Sequence, residues 1–146
     1  MEGRPRAQDP TPLSDQIVTP TRHSQPPGAV AKHGVVRGHV VTTVGVLRAR
    51  LADPWTLDTL AHEANLSRSQ LVRAFDATTG LSPMAYLRQM RVEQMARLLV
   101  STDVSVAEAA RSVGWKNQFH ASQCFHAAYG ISPTEYRRRQ PARPLT

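Results

Sequence analysis

The residues best suited to chemistry are the polar side chains on two short predicted helices, 68–78 and 118–129. If Leu71 and Phe75 point inward, the 3.6-residue period turns Arg73 outward. A guanidinium in that position can pair with both acceptors of a guanine in the major groove of DNA. A solvated surface arginine is the simpler alternative. Arg73 is therefore the strongest candidate for reading a base.

The second helix carries amides where the first carries arginine. Gln118 and Gln123 suit adenine edges or phosphates, and Val72 on the first helix suits a thymine methyl. Serine and asparagine near helix starts help to hold phosphates, although capping alone also explains Ser67 and Asn117. The full set of candidate DNA-binding residues is Ser67, Arg68, Ser69, Val72, Arg73, Asn117, Gln118, Phe119, Ser122 and Gln123.

Capping residues place each of these helices second in a helix, tight turn, helix pattern. Thr56 precedes a helix over 57–64, Asn65 suits the left-handed conformation that ends it, and Ser67 caps the next helix. The second pair begins at a capping box, Ser105 to Glu108. This pattern predicts a helix-turn-helix, whose second helix enters the major groove. An ordinary helical hairpin is the alternative for one lone copy.

The pattern occurs twice, which favours the DNA-binding interpretation. Residues stand 50 apart at Phe75 and Phe125, Gly80 and Gly130, Ser82 and Ser132, Pro83 and Pro133, and Tyr86 and Tyr136. Upstream the offset is 49, as for Asn65 and Gly114. The second copy therefore has one extra residue between Trp115 and Asn117. Such a duplication, with its insertion in a loop, indicates one structural unit used twice.

A long predicted helix over 82–100 joins the copies, with Ser82 as its cap and Pro83 at its first position. About 20 residues span roughly 30 Å, close to the roughly 34 Å between successive major grooves on one face of DNA. Its arginines are expected to be structural or to face phosphates. Its expected inner residues, shared between two small cores, are Tyr86, Leu87, Met90, Met95 and Leu98.

Two further helices complete a predicted all-α fold. Apolar residues spaced by three or four, from Val36 to Leu51, predict a first helix that stops near Asp53. A second capping box, Ser132 to Glu135, predicts a last short helix.

The composition limits the kinds of partner and functional site that this protein can have. With 18 basic and 11 acidic residues the net charge is +7, which favours a polyanionic partner. Cys124 is the only cysteine and falls at an inward position, and the histidines lack metal-ligand spacing. The sequence predicts no metal site, no cofactor, no enzyme active site, no signal peptide and no membrane span, and hence a cytoplasmic protein.

The ends of the chain are poor in core-forming residues. Residues 1–34 are rich in proline and lack periodicity, so we expect a disordered tail. Residues 35–140 form the expected double helix-turn-helix domain, and 141–146 a loose C-terminal tail.

The chain from about Val46 to Arg139 resembles the C-terminal DNA-binding domain of the AraC/XylS-type transcription regulators. The resemblance implies seven helices, with two helix-turn-helix subdomains joined by a long linker helix and set in adjacent major grooves of double-stranded DNA. It also implies transcription regulation, usually activation through RNA polymerase. The residues that carry it are Leu60, Ala61, Ala64 to Ser69, Leu71 to Phe75, Gly80 to Pro83, Tyr86, Leu87, Arg91, Ala96, Leu98, Leu99, Gly114, Trp115, Phe125, Gly130 to Pro133, Tyr136 and Arg137.

Both copies depart from the family pattern: the first has Asp76 where a lysine is common, and the second departs at more positions. Regulators of this type typically carry an aromatic residue at the position of Ala121, a basic residue at Gln123 and a lysine at His126. Phe119 lies two residues before the usual aromatic position. Fewer phosphate contacts are therefore available, so we expect the first subdomain to dominate affinity.

Two interpretations remain open. The first is a regulator that binds an asymmetric site, as a monomer if it is a stand-alone protein, or a truncated product of a longer regulator. The alternative is a degenerate helix-turn-helix module that acts through protein contacts.

Overall fold

The computed structural model describes the backbone of residues 27–140 and the side chains of residues 34–140. Within that range the chain forms seven α-helices and no strand, which confirms the predicted all-α fold. The helices are α1 (Pro27–Ala49), α2 (Leu57–Ala64), α3 (Arg68–Thr79), α4 (Pro83–Ser101), α5 (Val106–Ser112), α6 (Gln118–Tyr129) and α7 (Pro133–Arg139).

The helices divide into two compact units. The N-terminal unit extends to Leu87 and contains α1, α2, α3 and the start of α4. The C-terminal unit begins at Arg88 and contains the rest of α4 with α5, α6 and α7. Each unit therefore contains one of the two predicted helix-turn-helix pairs.

The core of the N-terminal unit is built from the predicted apolar stripes of its helices. Phe75 and Tyr86 are fully buried and meet edge to face, with ring centroids 5.5 Å apart. This geometry is the one that the charge distribution of aromatic rings favours. The other large buried residues are Val40, Val44, Leu47, Leu60, Leu71 and Leu87.

The C-terminal unit repeats the same aromatic contact 50 residues later. Phe125 meets Tyr136 edge to face at 5.2 Å and also stacks on Tyr129 at 4.7 Å. The buried apolar residues around them are Met90, Val92, Met95, Ala96, Leu99, Ala109, Ala110, Val113, Trp115 and Ala121.

Helix α1 begins earlier than the sequence pattern indicated. It starts at Pro27, so residues 27–34, which we assigned to a disordered tail, are helical. A proline is compatible with the first position of a helix, because the N–H that it lacks has no partner there. Residues 1–26 and 141–146, the remaining parts of the two predicted tails, lie outside the described residues.

Helix α4 is the predicted linker helix. The Ser82 hydroxyl caps it by accepting a hydrogen bond from the Ala85 N–H at 3.2 Å. Four of the five expected inner residues are buried, but Leu98 is only half-buried. Its neighbour Leu99 is 2% exposed and takes the inward position instead.

Helix α7 shows one wrong prediction. Ser132 caps it as expected, accepting from the Glu135 N–H at 3.1 Å. The Glu135 carboxylate does not complete a capping box, since it binds Arg138 and lies 2.7 Å from Arg139 Nε. The Arg139 hydrogen bond, assisted by Arg138, lowers the pKa of Glu135. The Glu135 carboxylate therefore binds charged side chains of its own helix and not the Ser132 N–H that the capping-box pattern predicted.

Candidate nucleic-acid interface

The turn between α2 and α3 is closed by backbone hydrogen bonds and one left-handed residue. Asn65 has φ 58° and donates its N–H to the His62 carbonyl at 3.1 Å. The next N–H, of Leu66, reaches the Ala61 carbonyl at 3.0 Å. Asparagine tolerates this conformation better than most residues, so the predicted tight turn is present.

The turn between α5 and α6 repeats these bonds 49 residues later. Gly114, with φ 110°, donates to the Arg111 carbonyl at 3.1 Å, and Trp115 donates to the Ala110 carbonyl at 3.0 Å. Lys116 is the extra residue that comes next, before the cap of α6. The duplication seen in the sequence is thus a duplication of turn geometry.

Helix α3 presents the polar face that the sequence predicted. Leu71, Ala74 and Phe75 are buried, and the candidates on the other side are exposed: Arg68, Ser69, Val72 and Arg73. The Ser67 hydroxyl caps the helix, accepting from the Gln70 N–H at 3.1 Å. Gln70 Oε1 accepts from the Ser67 N–H at 2.9 Å, so a capping box, whose S-x-x-Q pattern stands in the sequence, fixes the start of α3.

Helix α6 presents the second predicted face. Ala121 and Phe125 are buried, Ser122 is half-buried, and Gln118, Phe119 and Gln123 are exposed. Asn117 Oδ1 accepts from the N–H groups of Phe119 (2.8 Å) and His120 (3.3 Å). The Asn117 side chain is therefore occupied as a cap, and its own amide nitrogen is the group left for a phosphate.

The two faces differ in charge. Arg68 forms an exposed ion pair with Asp58 at 3.3 Å, and Arg73 adds a second guanidinium to α3. Helix α6 has no lysine, arginine, aspartate or glutamate in its sequence. Cys124 on α6 is half-buried, and burial raises the pKa of its thiol. The sequence predicted an inward position for Cys124, and the structure places it at a half-buried one.

An apolar groove of about 410 Å³ lies beside α3 in the N-terminal unit. Its walls come from α1 and α3, and it includes Val35, Val36 and Ala74 with Arg73. Arg73 therefore combines an exposed head group with an apolar wall for its methylene chain.

Two arginines of the C-terminal unit make contacts that the sequence pattern did not predict. Arg137 donates to the carbonyl oxygens of Leu99 (2.9 Å), Thr102 (3.2 Å) and Val104 (2.6 Å), at the end of α4 and in the loop after it. Arg91 is half-buried next to Gly114, and this burial lowers its pKa. Local sequence patterns cannot predict the contact between Arg137 and the Leu99 carbonyl, because the two residues lie 38 positions apart.

Two compact units, each with a capped second helix that exposes a polar face, define a double helix-turn-helix protein. No group of three or more His, Cys, Asp or Glu side chains with metal-binding geometry occurs where the structure is described. None of the described helices combines the length and apolarity needed to cross a membrane.

Comparisons with known proteins identify the family. The helix-turn-helix domain family matches residues 60–139. The DNA-binding domain of AdpA, a global transcriptional factor solved in complex with a target DNA, is 33% identical, with a TM-score of 0.65 over 67% of this chain and 88% of that one. The C-terminal domain of AraT, a response regulator from Geobacillus stearothermophilus, is 30% identical, with a TM-score of 0.70 over 74% of this chain and 90% of that one. The chain belongs to the AraC-type family of helix-turn-helix transcription regulators.

Full-length relatives are considerably longer than the matched region. The transcriptional regulator MtrA of Neisseria gonorrhoeae is 37% identical over 109 residues, which cover 72% of this chain and 36% of MtrA. A Streptomyces lividans AraC-like regulator is 36% identical over 34% of its length. The chain thus spans about a third of these regulators. The alternative of a module that acts through protein contacts alone is not favoured by these relatives.

Proposed function

We propose that the chain is a sequence-specific DNA-binding transcription regulator that inserts α3 and α6 into successive major grooves of double-stranded DNA. The observation that carries this proposal is the pair of exposed polar faces on two equivalently capped helices. The relative solved on its target DNA supports it, since the aligned region, 67% of this chain, is 33% identical to it.

The contacts divide by chemistry. Arg73, Gln118 and Gln123 are the proposed base readers, because guanidinium and amide groups pair bidentately with guanine and adenine. Val72 and Phe119 are the apolar members of the interface. Residues near the two helix starts position the backbone through phosphates, namely Ser67, Arg68, Ser69 and Asn117, and the half-buried Ser122 follows one turn further along α6.

The two helices are proposed to contribute unequally. Each neutralised phosphate releases a counterion, so cationic side chains dominate affinity at low salt. Helix α3 carries Arg68 and Arg73, whereas α6 carries neither lysine nor arginine. We therefore assign most of the affinity to the N-terminal unit, and we expect the DNA site read by the two units to be asymmetric.

We further propose that the bound protein acts in the cytoplasm and activates transcription by contacting RNA polymerase. The support is family membership. An in vitro transcription assay with purified polymerase tests it: transcript yield from a promoter with the bound site should rise with added protein. An unchanged or reduced yield would argue against activation.

The decisive experiment for DNA binding is a salt titration on random duplex DNA. The logarithm of the binding constant should fall with the logarithm of salt concentration, by about 0.9 per phosphate contact. Several contacts predict a slope of several units. Absence of binding at low salt would overturn the proposal and favour the protein-interaction module instead.

A further inference from the structure

Phe119 is the most exposed large apolar side chain among the described residues. It is 68% exposed, followed by Val35 (63%), Val41 (48%) and Val72 (36%). Leaving a phenyl ring in water forgoes the free energy that its burial would supply. The fold offers Phe119 little contact, so the ring is available to an external partner.

The surroundings of Phe119 are polar and fixed. Its own N–H binds Asn117 Oδ1 at 2.8 Å, which anchors the first turn of α6. Gln123 lies four residues later on the same helix face, and it is exposed too. The exposed Lys116 precedes the cap in the turn. The ring thus projects from a surface whose neighbours suit a nucleic acid better than an apolar protein groove.

We propose that Phe119 contacts the C5 methyl group of a thymine in the major groove and selects an A·T pair there. This inference rests on the proposed insertion of α6 into that groove. The thymine methyl is the apolar group that base pairs present in the major groove, and every other base edge is polar. Gln123, one turn further on, can pair with the adenine of that base pair or of a neighbouring one.

The two units differ at this position. The residue of α3 equivalent to Phe119, 50 positions earlier, is Ser69, which has no apolar surface to offer. Recognition by a phenyl ring is therefore confined to the part of the DNA site read by α6. The contact between Phe119 and a thymine methyl group should therefore affect binding at one position of the DNA site.

The test begins with selection of bound sequences from a random duplex pool with the full chain. Each thymine of the selected site is then replaced, one at a time, by deoxyuridine, which keeps base pairing and removes only the methyl group. Within the part of the site read by α6, one thymine position should weaken binding about fourfold on this replacement, the loss expected for one methyl group that leaves an apolar contact. In Phe119→Ala, affinity should fall roughly tenfold and the sensitivity at that position should vanish.

Matched variants separate this contact from general effects. Val41→Ala removes another exposed apolar side chain from α1 and should keep the full thymine-to-deoxyuridine effect. Phe119→Leu should keep part of it. Circular dichroism shows whether each variant is folded. We expect the Phe119 variants to fold, because this side chain is exposed and contributes little to the core.

The outcomes distinguish this inference from the proposed function. If no sequence is selected, DNA recognition itself fails. If a site is selected but the wild type tolerates deoxyuridine at every position read by α6, the Phe119 inference alone is overturned. The inference is also overturned if Phe119→Ala shows the same sensitivity to deoxyuridine at these positions as the wild type. A protein then becomes the expected partner of the Phe119 ring.

Discussion

The Arg91 guanidinium occupies the space into which a side chain at Gly114 would extend, so that a Cβ atom on Gly114 would stand 2.7 Å from Arg91 Nη2. Gly114 also has a φ of 110°, in the region that favours glycine. The glycine thus serves two purposes: it turns the chain between α5 and α6, and it leaves room for a half-buried cation from α4.

Gly114→Ala is expected to destabilise the protein more than Gly130→Ala. Both glycines have positive φ (110° and 79°), but a Cβ at Gly130 meets nothing within 4 Å. Backbone strain should cost about 1 kcal/mol at either position. Displacing Arg91 should add about another 1 kcal/mol at Gly114. Urea unfolding measures both, and in an Arg91→Ala background the two alanine variants should become equal.

Arg137→Ala is expected to lower the free energy of unfolding by about 2–3 kcal/mol, because three carbonyl oxygens lose a charged donor. Lysine at this position should recover only part of the loss, since an ammonium cannot reproduce the fork of the guanidinium. Its neighbour Arg138 has a side chain that is 72% exposed and pairs with Glu135, so Arg138→Ala is the control. Equal losses at the two positions in thermal or urea unfolding would contradict the role assigned to Arg137.

Arg73→Ala should weaken DNA binding more than Gln123→Ala. A lost bidentate base contact costs about 1–3 kcal/mol, and the arginine also carries a charge. Gel shifts at one fixed salt concentration compare the two variants. Arg48→Ala, which removes an exposed arginine from α1, measures the effect of net charge alone. A larger loss for Gln123→Ala would show that α6 dominates affinity.

Stability should depend on pH through Glu135. Its pKa is lowered in the folded protein, chiefly by the Arg139 hydrogen bond. The unfolded chain therefore binds a proton more readily, and the stabilisation is present above the ordinary glutamate pKa of about 4.3 and lost as pH falls through the lower folded value. Unfolding followed at several acidic pH values should show a shallower decline in Glu135→Gln. Parallel curves for the two proteins would exclude this contribution.

One alanine inserted between Leu87 and Arg88, where the chain passes from one unit to the other, should abolish specific DNA binding. An extra residue rotates the downstream part of the helix by about 100°, because a helix has 3.6 residues per turn. Both halves should remain folded and bind random DNA at low salt. Footprinting separates the two properties, and an unchanged footprint would show that the linker helix does not set the phase of α3 and α6.

Short-range patterns predicted most of the fold. The helical period alone predicted that Leu71, Ala74 and Phe75 point inward. Local capping chemistry alone predicted the helix ends at Ser67, Asn65 and Gly130. The predicted faces of α3 and α6 came from the same period. These features depend on residues within about four positions of one another.

The missed features depend on partners that sequence spacing does not reveal. Arg137 finds its carbonyls more than 30 residues away, and Arg91 finds its place beside Gly114 through packing. The Glu135 carboxylate could accept either from the Ser132 N–H, which completes a capping box, or from arginines on its own helix. In the structure it accepts from Arg138 and Arg139. The DNA contacts themselves remain predictions, because exposure identifies the available side chains and not the base that each one meets.

The two turns retain matching backbone hydrogen bonds, at an offset of 49 residues, although most exposed residues of the helices after them have changed. What the two copies share is the set of bonds that holds the second helix, and what differs is the exposed surface of that helix. Mutation can therefore remodel either surface while the turn beneath it stays intact.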